Sequence, residues 1–448
     1  MLSPEQARDT AAALVERART AGADAADAIY VGGRSQSVSV RMGALEDVGA
    51  SEGEEIGLRV FRGSRSASVA SSALAPDALA ALVDRALAMA AEAPEDPFAG
   101  LAPADRLLRE LPADLAIFDP TEVDPAALKA RALEAEAAAL AVPRVTNSSG
   151  AGASVSHSIL ALATSAGFAA ATRGSGHSTS ASVIAGDAGA LQRDYDYDST
   201  RFLADLEGPA AIGRRAGTRA AARLDPVKLE SGRIAILFDP RVATSLLGHF
   251  AGAISGASIA RKASFLIDKL GTRLFAPGVT IRDDPHRARG LRSRSFDGEG
   301  LPTSPSNLID DGVLTTWLAD SAAARQLGIE PTGHAVRGTS GAPGAGPSNL
   351  YLEAGERTPE QLLAAYPRAI LVTELIGMGV NGVTGDYSRG AAGFLVEHGE
   401  IVGPVSEITI AANLLDMFAT LEPGSDLTLR RGIDSPTILI PEMTVAAG

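Results

Sequence analysis

Histidine is the residue type that would carry metal chemistry here, because the sequence contains no cysteine. Its six histidines are His157, His177, His249, His286, His334 and His398. A common zinc-binding helix carries two histidines four residues apart, and no pair among these six has that spacing. The sequence therefore predicts no such helix, although a site assembled from distant histidines and acids stays open. The lack of cysteine also excludes thiolate zinc sites, cysteine-held iron–sulfur clusters and disulfides.

His249 lies in the stretch around which the second half of the chain is organised. An apolar run from Ile234 to Phe238 predicts a strand, and Asp239-Pro240 predicts the start of a helix. At 3.6 residues per turn, one face of that helix holds Val242, Leu246, His249 and Ala253. Two interpretations of His249 are open: a partly buried, hydrogen-bonded helix residue, or a residue that lines a cleft. A Gly/Ser-rich loop follows and ends in Arg261-Lys262.

A second candidate site is the glycine-punctuated segment from Glu374 to Phe394. At its centre stand four consecutive polar residues, Asp386, Tyr387, Ser388 and Arg389. One interpretation is a loop that contacts a peptide or a partner, and the other is a tight turn closed by an Asp–Arg pair. Glycines permit positive φ and close approach of another backbone, which suits either interpretation. A hydrolase with an unusual site, built on His249, Asp386 and Ser388, is a separate alternative.

Several other functions find no support in the sequence. No serine lies in a G-x-S-x-G elbow, and no Gly-rich loop has a phosphate-binding pattern. The run from Asp194 to Asp198 (DYDYD) lacks the glycine and distal glutamate of a calcium loop, so we expect a solvated loop. The formal net charge of −14 argues against nucleic acid or an anionic membrane as the main partner. No transmembrane or secretory pattern is visible, so we expect a cytoplasmic protein.

The elements that must position these residues predict an α+β protein. We expect two domains, residues 1–225 and residues 226–448. The first should have two layers, one of helices and one of antiparallel strands, and the second should be mostly β with few helices. In the second domain, Asp310-Asp311-Gly312 predicts a hairpin turn. The segment Gly338–Pro347 is expected to be a flexible loop without helix or strand.

Within the first domain, the strand pattern is interrupted by glycines. We predict two separate strands at Leu45–Ala50 and Ile56–Arg62, with Gly53 in the turn between them. The Ser/Thr/Gly/Ala-rich region from Val145 to Ile184 is predicted to form several strands joined by Gly turns. A basic helix from Pro209 to Leu224 closes the domain.

Long segments spread over the whole chain resemble one known family. In the second domain they are GHFAGAISGASIARKASFLIDKLG, RSFDGEGLPTSP, LIDDGVLTTWLADSAAARQLG, TELIGMGVNGVTGDYSRGAAGF and GPVSEITIAANLLDMF. The first domain adds GLRVFRGSRSASVASS and LQRDYDYDSTRF. These segments are similar to the TldE/PmbA subunits of the TldD/PmbA metalloprotease family.

The resemblance implies a heterodimeric zinc metalloprotease of the bacterial cytosol, first named as a modulator of DNA gyrase. It trims leader peptides and degrades small unfolded proteins, and its TldD subunit holds zinc on an HExxxH helix with a cysteine as third ligand. Aligning Leu246-Leu247 with the same pair in TldD places Gly248 and Ala253 at the two zinc histidines and His249 at the catalytic glutamate. The resemblance therefore implies no cofactor in this chain, zinc in the partner, and no peptidase activity of this chain alone.

It also implies a substrate cleft enclosed by both subunits, in which the peptide binds as an added strand. We predict that this chain lines the cleft with His249, Ser255, Arg261, Asn349, Asp386, Tyr387, Ser388 and Arg389. The expected partners are a TldD-like subunit and an unfolded or leader peptide. Without that subunit, a homodimer could form through the same surface. An adaptor without a protease role is the remaining alternative.

Overall fold

The computed structural model describes residues 1–112, 114–187 and 189–447. Helices and strands alternate in small groups through the first half of the chain. In order they are α1 (Pro4–Thr20), β1 (Ala25–Arg41), β2 (Ala44–Arg62), β3 (Arg65–Ser71), α2 (Pro76–Glu92), α3 (Pro125–Leu140), β4 (Val145–Thr164), β5 (Ala169–Ala185), β6 (Gln192–Thr200) and α4 (Pro209–Ala222).

The strands of the first half form one antiparallel sheet in the order β3-β2-β1-β4-β5-β6. Successive residues of a strand point to opposite faces. On one face, α1 and α2 pack around Tyr30, and α3 and α4 pack around Val38. On the other face, Ile29 packs in a cluster with Phe296 from the second half. The predicted two-layer arrangement of helices on antiparallel strands is confirmed.

Two predictions about the number of strands are wrong. Residues 44–62 form the single strand β2, in which Gly53 pairs directly with Gly33 of β1 instead of turning the chain. Residues 145–185 form only β4 and β5, which pair along almost their whole length. A glycine in a long strand keeps its backbone hydrogen bonds when the neighbouring strand is equally long. The glycines therefore mark no turns at these positions.

The expected solvated loop at Asp194–Asp198 is also wrong, because these residues lie in β6. The three aspartates of the run are buried, and the two tyrosines between them are not. Asp196 binds Arg215 and Arg219 of α4, at 2.7 and 2.8 Å. The acids are thus paired across the sheet–helix interface, and α4 confirms the predicted basic helix.

The second half contains more strands than helices. In order its elements are β7 (Gly232–Phe238), α5 (Pro240–Ala253), α6 (Gly256–Ala260), β8 (Ile281–Asp283), β9 (Ser306–Asp310), β10 (Val313–Leu314), α7 (Ser321–Leu327), β11 (Ala335–Val336), β12 (Gly344–Ala345), β13 (Leu350–Leu352), α8 (Pro359–Ala364), β14 (Arg368–Ile376), β15 (Asp386–Glu397), β16 (Glu400–Asn413), α9 (Leu414–Thr420), β17 (Glu422–Pro423), β18 (Ile433–Asp434) and β19 (Ile438–Ala447).

These strands form two larger sheets, in the orders β16-β15-β14-β7-β19-β17 and β10-β9-β8-β13-β18. Strand β19 also pairs with β16, so the first of these sheets closes on itself. The largest apolar cluster joins both sheets with α5 and α9, and includes Phe250, Phe275 and Phe418. The α+β class with a β-rich second half is confirmed, whereas the division at residues 225/226 stays a prediction.

Two smaller expectations for the second half can be compared directly. The hairpin turn at Asp310-Asp311-Gly312 is confirmed, because β9 and β10 pair across it. The segment Gly338–Pro347 is not free of strand, since its residues 344 and 345 form β12 with β11. Among the helices in the described part of the chain, none combines the length and the apolar character that crossing a bilayer requires.

Candidate functional site

Helix α5 positions the first candidate residues. The Asp239 carboxylate accepts a hydrogen bond from the backbone N–H of Arg241 at 2.9 Å and so caps the helix. One side of α5 is buried in the core through Leu246, Leu247 and Phe250. The other side is open, because a Cβ atom built at Gly248 would meet no atom within 4 Å. Gly248 therefore leaves free space beside the helix.

His249 lies between the buried and open sides of α5. It is half-buried, and its ring meets the ring of Tyr387 edge-on, with centroids 6.2 Å apart. The Nε2 atom of His249 is buried without a hydrogen-bond partner among the described residues. The interpretation of a hydrogen-bonded helix histidine is therefore wrong at this nitrogen, and the ring has a polar atom available for a ligand.

The polar group at residues 386–389 lies on β15 and not in a tight turn. The side chains alternate, so that Tyr387 is buried while Asp386 and Ser388 are exposed. Asp386 accepts hydrogen bonds from Thr384 at 2.7 Å and from Asn413 at 3.3 Å. The predicted Asp–Arg turn is therefore wrong. Strand alternation also separates the Asp386 and Ser388 side chains from the Tyr387 side that His249 meets.

The structure thus brings together three of the predicted residues, His249, Tyr387 and Arg389. Tyr387 Oη and Arg389 Nε are buried. The Arg389 side chain acts on the phenol both as a positive charge and as a hydrogen-bond donor, which opposes part of the effect of burial on the pKa of Tyr387. Burial lowers the pKa of His249, and the positive charge of Arg389 lowers this pKa further. Burial also raises the pKa of Tyr387 far above its usual value. At neutral pH the cluster is a neutral imidazole, a phenol and a guanidinium.

The remaining predicted residues lie elsewhere. Ser255 precedes the short helix α6, and Arg261 is exposed at its end. Asn349 is fully buried. Its side chain donates to the Asp284 carbonyl at 2.7 Å and to Ser293 Oγ at 2.8 Å. The amide of Asn349 therefore holds loops of the second half together.

The residues at the expected metal positions do not fit zinc. Gly248 has no side chain, and the Ala253 methyl group cannot coordinate a metal. Residues 1–112, 114–187 and 189–447 contain no group of three or more histidine, aspartate and glutamate side chains that could hold a metal ion. A catalytic zinc needs three protein ligands and one open position. We therefore derive no metal-dependent step for this chain.

Sequence reasoning missed a cluster of buried charges where the two halves meet. Asp27 of β1 pairs with Arg59 of β2 and with Arg337 from the second half. Burial acts to raise the pKa of Asp27, but the charges of Arg59 and Arg337 outweigh it and hold this pKa below its usual value. Nearby, burial raises the pKa of Glu299 to about 7. These residues are far apart in sequence, and no local pattern marks them.

Comparison with known proteins places this geometry in a family. Three domain descriptions of one family match: "PmbA/TldA metallopeptidase domain 1" at residues 26–90, the central domain at 118–224 and the C-terminal domain at 231–447. A crystal structure from Bacteroides thetaiotaomicron, of a candidate modulator of DNA gyrase, superposes with a TM-score of 0.91 at 25% identity and covers 100% of both chains.

Curated relatives agree with these matches. Metalloprotease PmbA of Escherichia coli O157:H7 is 40% identical over 92% of this chain and 89% of its own length. The PmbA homolog of Haemophilus influenzae is 36% identical over 99% of this chain and 96% of its own. A TldD homolog from the same organism is 25% identical over 56% of this chain and 54% of its own. The chain belongs to the PmbA/TldD metallopeptidase family.

Proposed function

We propose that this chain is the non-catalytic subunit of a two-subunit zinc metalloprotease that degrades unfolded peptides and trims leader peptides in the cytoplasm. In this proposal a TldD-like partner holds the zinc, and this chain forms part of the wall of the substrate cleft. The observation that carries the proposal is the donor set on α5. Gly248 and Ala253 offer no metal ligand in a chain whose family is a metallopeptidase family.

The cluster of His249, Tyr387 and Arg389 supports a binding role in the cleft. The His249 Nε2 and Arg389 Nε atoms are buried without partners among the described residues, and buried polar groups are stabilised when they gain hydrogen bonds. A peptide carbonyl could accept from the phenol or the guanidinium. A peptide N–H could donate to the neutral imidazole. None of these groups is a carboxylate, so the cluster lacks the glutamate base that the resemblance implies for the zinc-bearing subunit.

A partner of the same family is supported by the relatives. Haemophilus influenzae has both a PmbA homolog and a TldD homolog, and this chain is similar to each of them. Two related chains in one organism are what a complex of one catalytic and one non-catalytic subunit requires. The identity and coverage are higher for the PmbA homolog than for the TldD homolog, which supports grouping this chain with the PmbA-like subunit that the proposal takes as the non-catalytic one.

The proposal is tested by separating and recombining the subunits. The chain would be purified alone and together with the TldD-like protein of its own genome, and zinc would be measured by mass spectrometry. Cleavage of an unfolded peptide would be followed in both samples. We expect stoichiometric zinc and cleavage only when the partner is present. Stoichiometric zinc together with cleavage by the isolated chain would contradict the proposal.

A variant then tests the cleft role within the complex. Replacing Arg389 with Gln removes the only permanent charge of the three-residue cluster. We expect a higher KM for the peptide with an unchanged zinc content, because the zinc lies in the other subunit. Arg368→Gln, an exposed position on the neighbouring strand β14, is the matched control. An unchanged KM in Arg389→Gln would exclude this cluster from the cleft.

A further inference from the structure

A cavity lies between the helix-free face of the first sheet and the loops of the second half. Its volume is about 440 Å³, within the range of roughly 300–1,000 Å³ for small-molecule sites. Ile29, Leu160 and Leu162 form an apolar wall on the sheet side, and Phe296 adds to it from the second half. The cavity is separate from the His249 cluster, since no residue of that cluster lines it.

The cavity is strongly positive in an otherwise acidic protein. Five arginines line it: Arg173, Arg201, Arg292, Arg294 and Arg337. Of these, Arg337 alone forms an ion pair within the described residues, with Asp27. One carboxylate, Asp297, also lines the cavity, but its oxygens accept backbone N–H groups of Glu299, Leu301 and Ala335. Asp297 and the nearby Asp283 act electrostatically on Arg294, so the acids compensate part of the positive charge, and the five arginines still outnumber the one lining carboxylate.

The two deepest arginines have nitrogens without partners. The Arg337 side chain is 0% exposed, and its Nε and one terminal nitrogen have no hydrogen-bond partner among the described residues. Arg294 donates to the Gly346 carbonyl at 2.9 Å, but its Nε is buried and equally unpartnered. Unpaired buried donors are costly to a folded protein. These nitrogens are covered by protein atoms, so an anion in the cavity would lower the cost first through its charge beside the two guanidinium groups.

The other arginines have different environments. Arg201 donates to the carbonyls of Ser175 at 2.9 Å and of Leu291 at 2.5 Å, so it joins the two halves at the cavity wall. Arg173 and Arg292 are exposed and lie where the cavity opens to solvent. Positive charge therefore runs from the opening to the floor, and an anionic group entering the cavity is attracted along its whole path.

We propose that this cavity binds the free carboxylate of a short peptide, with Arg294 and Arg337 as its anion partners and the apolar wall holding a side chain. The planar guanidinium group matches a carboxylate through two parallel hydrogen bonds. The choice of a peptide, rather than another organic acid, rests on the proposed protease function. The site would retain a peptide with a free C-terminus near the complex, away from the cleft.

Calorimetry and thermal unfolding of the full chain, without partner or zinc, test this site. The probes are leucyl-leucine, leucyl-leucinamide and inorganic phosphate. We expect leucyl-leucine to bind and to raise Tm as its concentration rises, and the amide to bind at least about tenfold more weakly. No binding of leucyl-leucine, or equal binding of the amide, overturns the proposal. Phosphate binding as tight as that of leucyl-leucine overturns the assignment of a carboxylate.

Two variants and one control connect the binding to the cavity. Arg294→Met removes a buried guanidinium that forms no ion pair within the described residues but donates to the Gly346 carbonyl, so Tm of the free protein should fall only slightly, while leucyl-leucine should bind at least about tenfold more weakly. Arg173→Gln, at the exposed opening, should weaken binding without unfolding the chain. Arg214→Gln, exposed on α4 away from the cavity, should change neither the Tm of the free protein nor the affinity for leucyl-leucine. Wild-type affinity in Arg173→Gln and in folded Arg294→Met overturns the proposal.

None of these measurements uses peptide cleavage. Loss of leucyl-leucine binding would therefore leave the two-subunit protease intact as a hypothesis. Conversely, cleavage by the isolated chain would contradict the non-catalytic role without affecting the carboxylate site.

Discussion

At the scale of single residues, α5 combines core packing with two positions whose side chains cannot bind a metal. The buried residues Leu246, Leu247 and Phe250 hold α5 in the core. The positions that resemblance assigns to zinc ligands carry Gly248 and Ala253, and the position of the base carries His249. Gly248 faces open space, whereas Ala253 is buried with the core residues, so a small side chain at each of the two positions is compatible with the packing of α5.

Gly248→Ala should stabilise the protein. Glycine inside a helix costs about 0.5–1 kcal/mol relative to alanine. A Cβ at Gly248 meets nothing within 4 Å, so that gain should appear fully in the free energy of unfolding, measured by urea denaturation. The matched control is Gly213→Ala on α4, where a Cβ would lie 1.9 Å from the Ala135 carbonyl oxygen. That control should be destabilised. A loss of stability in Gly248→Ala would mean that the space beside α5 is occupied.

The imidazole of His249 should titrate below its usual pKa of 6.5, because burial and then the Arg389 charge both lower its pKa. NMR titration measures this, and the spectrum of His249→Gln assigns the signal. In Arg389→Gln the pKa of His249 should rise but stay below 6.5, since burial remains. In the control Arg368→Gln the pKa of His249 should stay at its wild-type value. A pKa of His249 at or above 6.5 in the wild-type protein would contradict the buried cluster.

The same shift predicts the sign of a pH effect on stability. The unfolded chain takes up a proton on this histidine at a higher pH than the folded chain does, because the folded pKa is the lower one. The free energy of unfolding should therefore fall as pH drops below about 6.5. His249→Gln should show a smaller fall than the wild-type protein over pH 6.5 to 5, measured by urea denaturation. An identical pH dependence in the two proteins would contradict a lowered pKa.

At the scale of elements, β6 shows where sequence reasoning fails and why. Three aspartates in five residues indicate a solvated loop only if their charges have no partners. The partners come from α4 and α5, which lie later in the chain: Arg215 and Arg219 bind Asp196, and Arg241 binds Asp194 at 2.9 Å. Sequence patterns identify the acidic run and the basic helix separately, but they do not show that the two form ion pairs in the folded protein.

Asp194→Ala should destabilise the protein by about 2–3 kcal/mol, because it removes one partner from a buried ionic network. Asp194 is 4% exposed and contacts both Arg223 and Arg241. This loss of stability is smaller than that expected from breaking an isolated buried ion pair, because Glu374 still binds Arg223 and Asp239 still binds Arg241. Asp84→Ala, exposed on α2, should change stability by less than about 0.5 kcal/mol. Equal effects of the two substitutions would contradict a structural role for Asp194.

The parts of the fold that local patterns determine could be predicted. Proline and its neighbouring cap mark the starts of α1, α5 and α8, and Asp310-Asp311-Gly312 marks a hairpin. The meeting of His249 with Tyr387 and Arg389 could not be predicted, because it depends on which face of β15 packs on α5. The arginine-lined cavity depends on contacts between the two halves and has no local pattern either.

At the scale of the whole molecule, the ionic contacts hold the two halves together while apolar residues remain on the outside of the second half. The last residue of β14, Ile376, and the connection to β15 with Met378 and Val383 are exposed, and Met378 is 87% exposed. The backbone N–H of Phe265 donates to the carbonyl of Gly382 in this connection at 3.0 Å. The exposed apolar connection therefore lies against the segment that follows α6, close in sequence to the open side of α5.

This position leads to the last prediction, which concerns assembly. If a TldD-like partner completes the cleft beside α5, the connection between β14 and β15 should be buried in the complex, and Met378→Glu should place a charge in an apolar contact. We expect at least about tenfold weaker association with the partner, measured by calorimetry, and loss of any homodimer of the isolated chain in size-exclusion chromatography with light scattering. Met89→Glu, which is 48% exposed on α2, should leave both the association and the homodimer unchanged, because α2 packs on the first sheet. If Met378→Glu associates with the partner as tightly as the wild-type protein does, the partner binds another face of the molecule, and the open side of α5 is not part of the subunit interface.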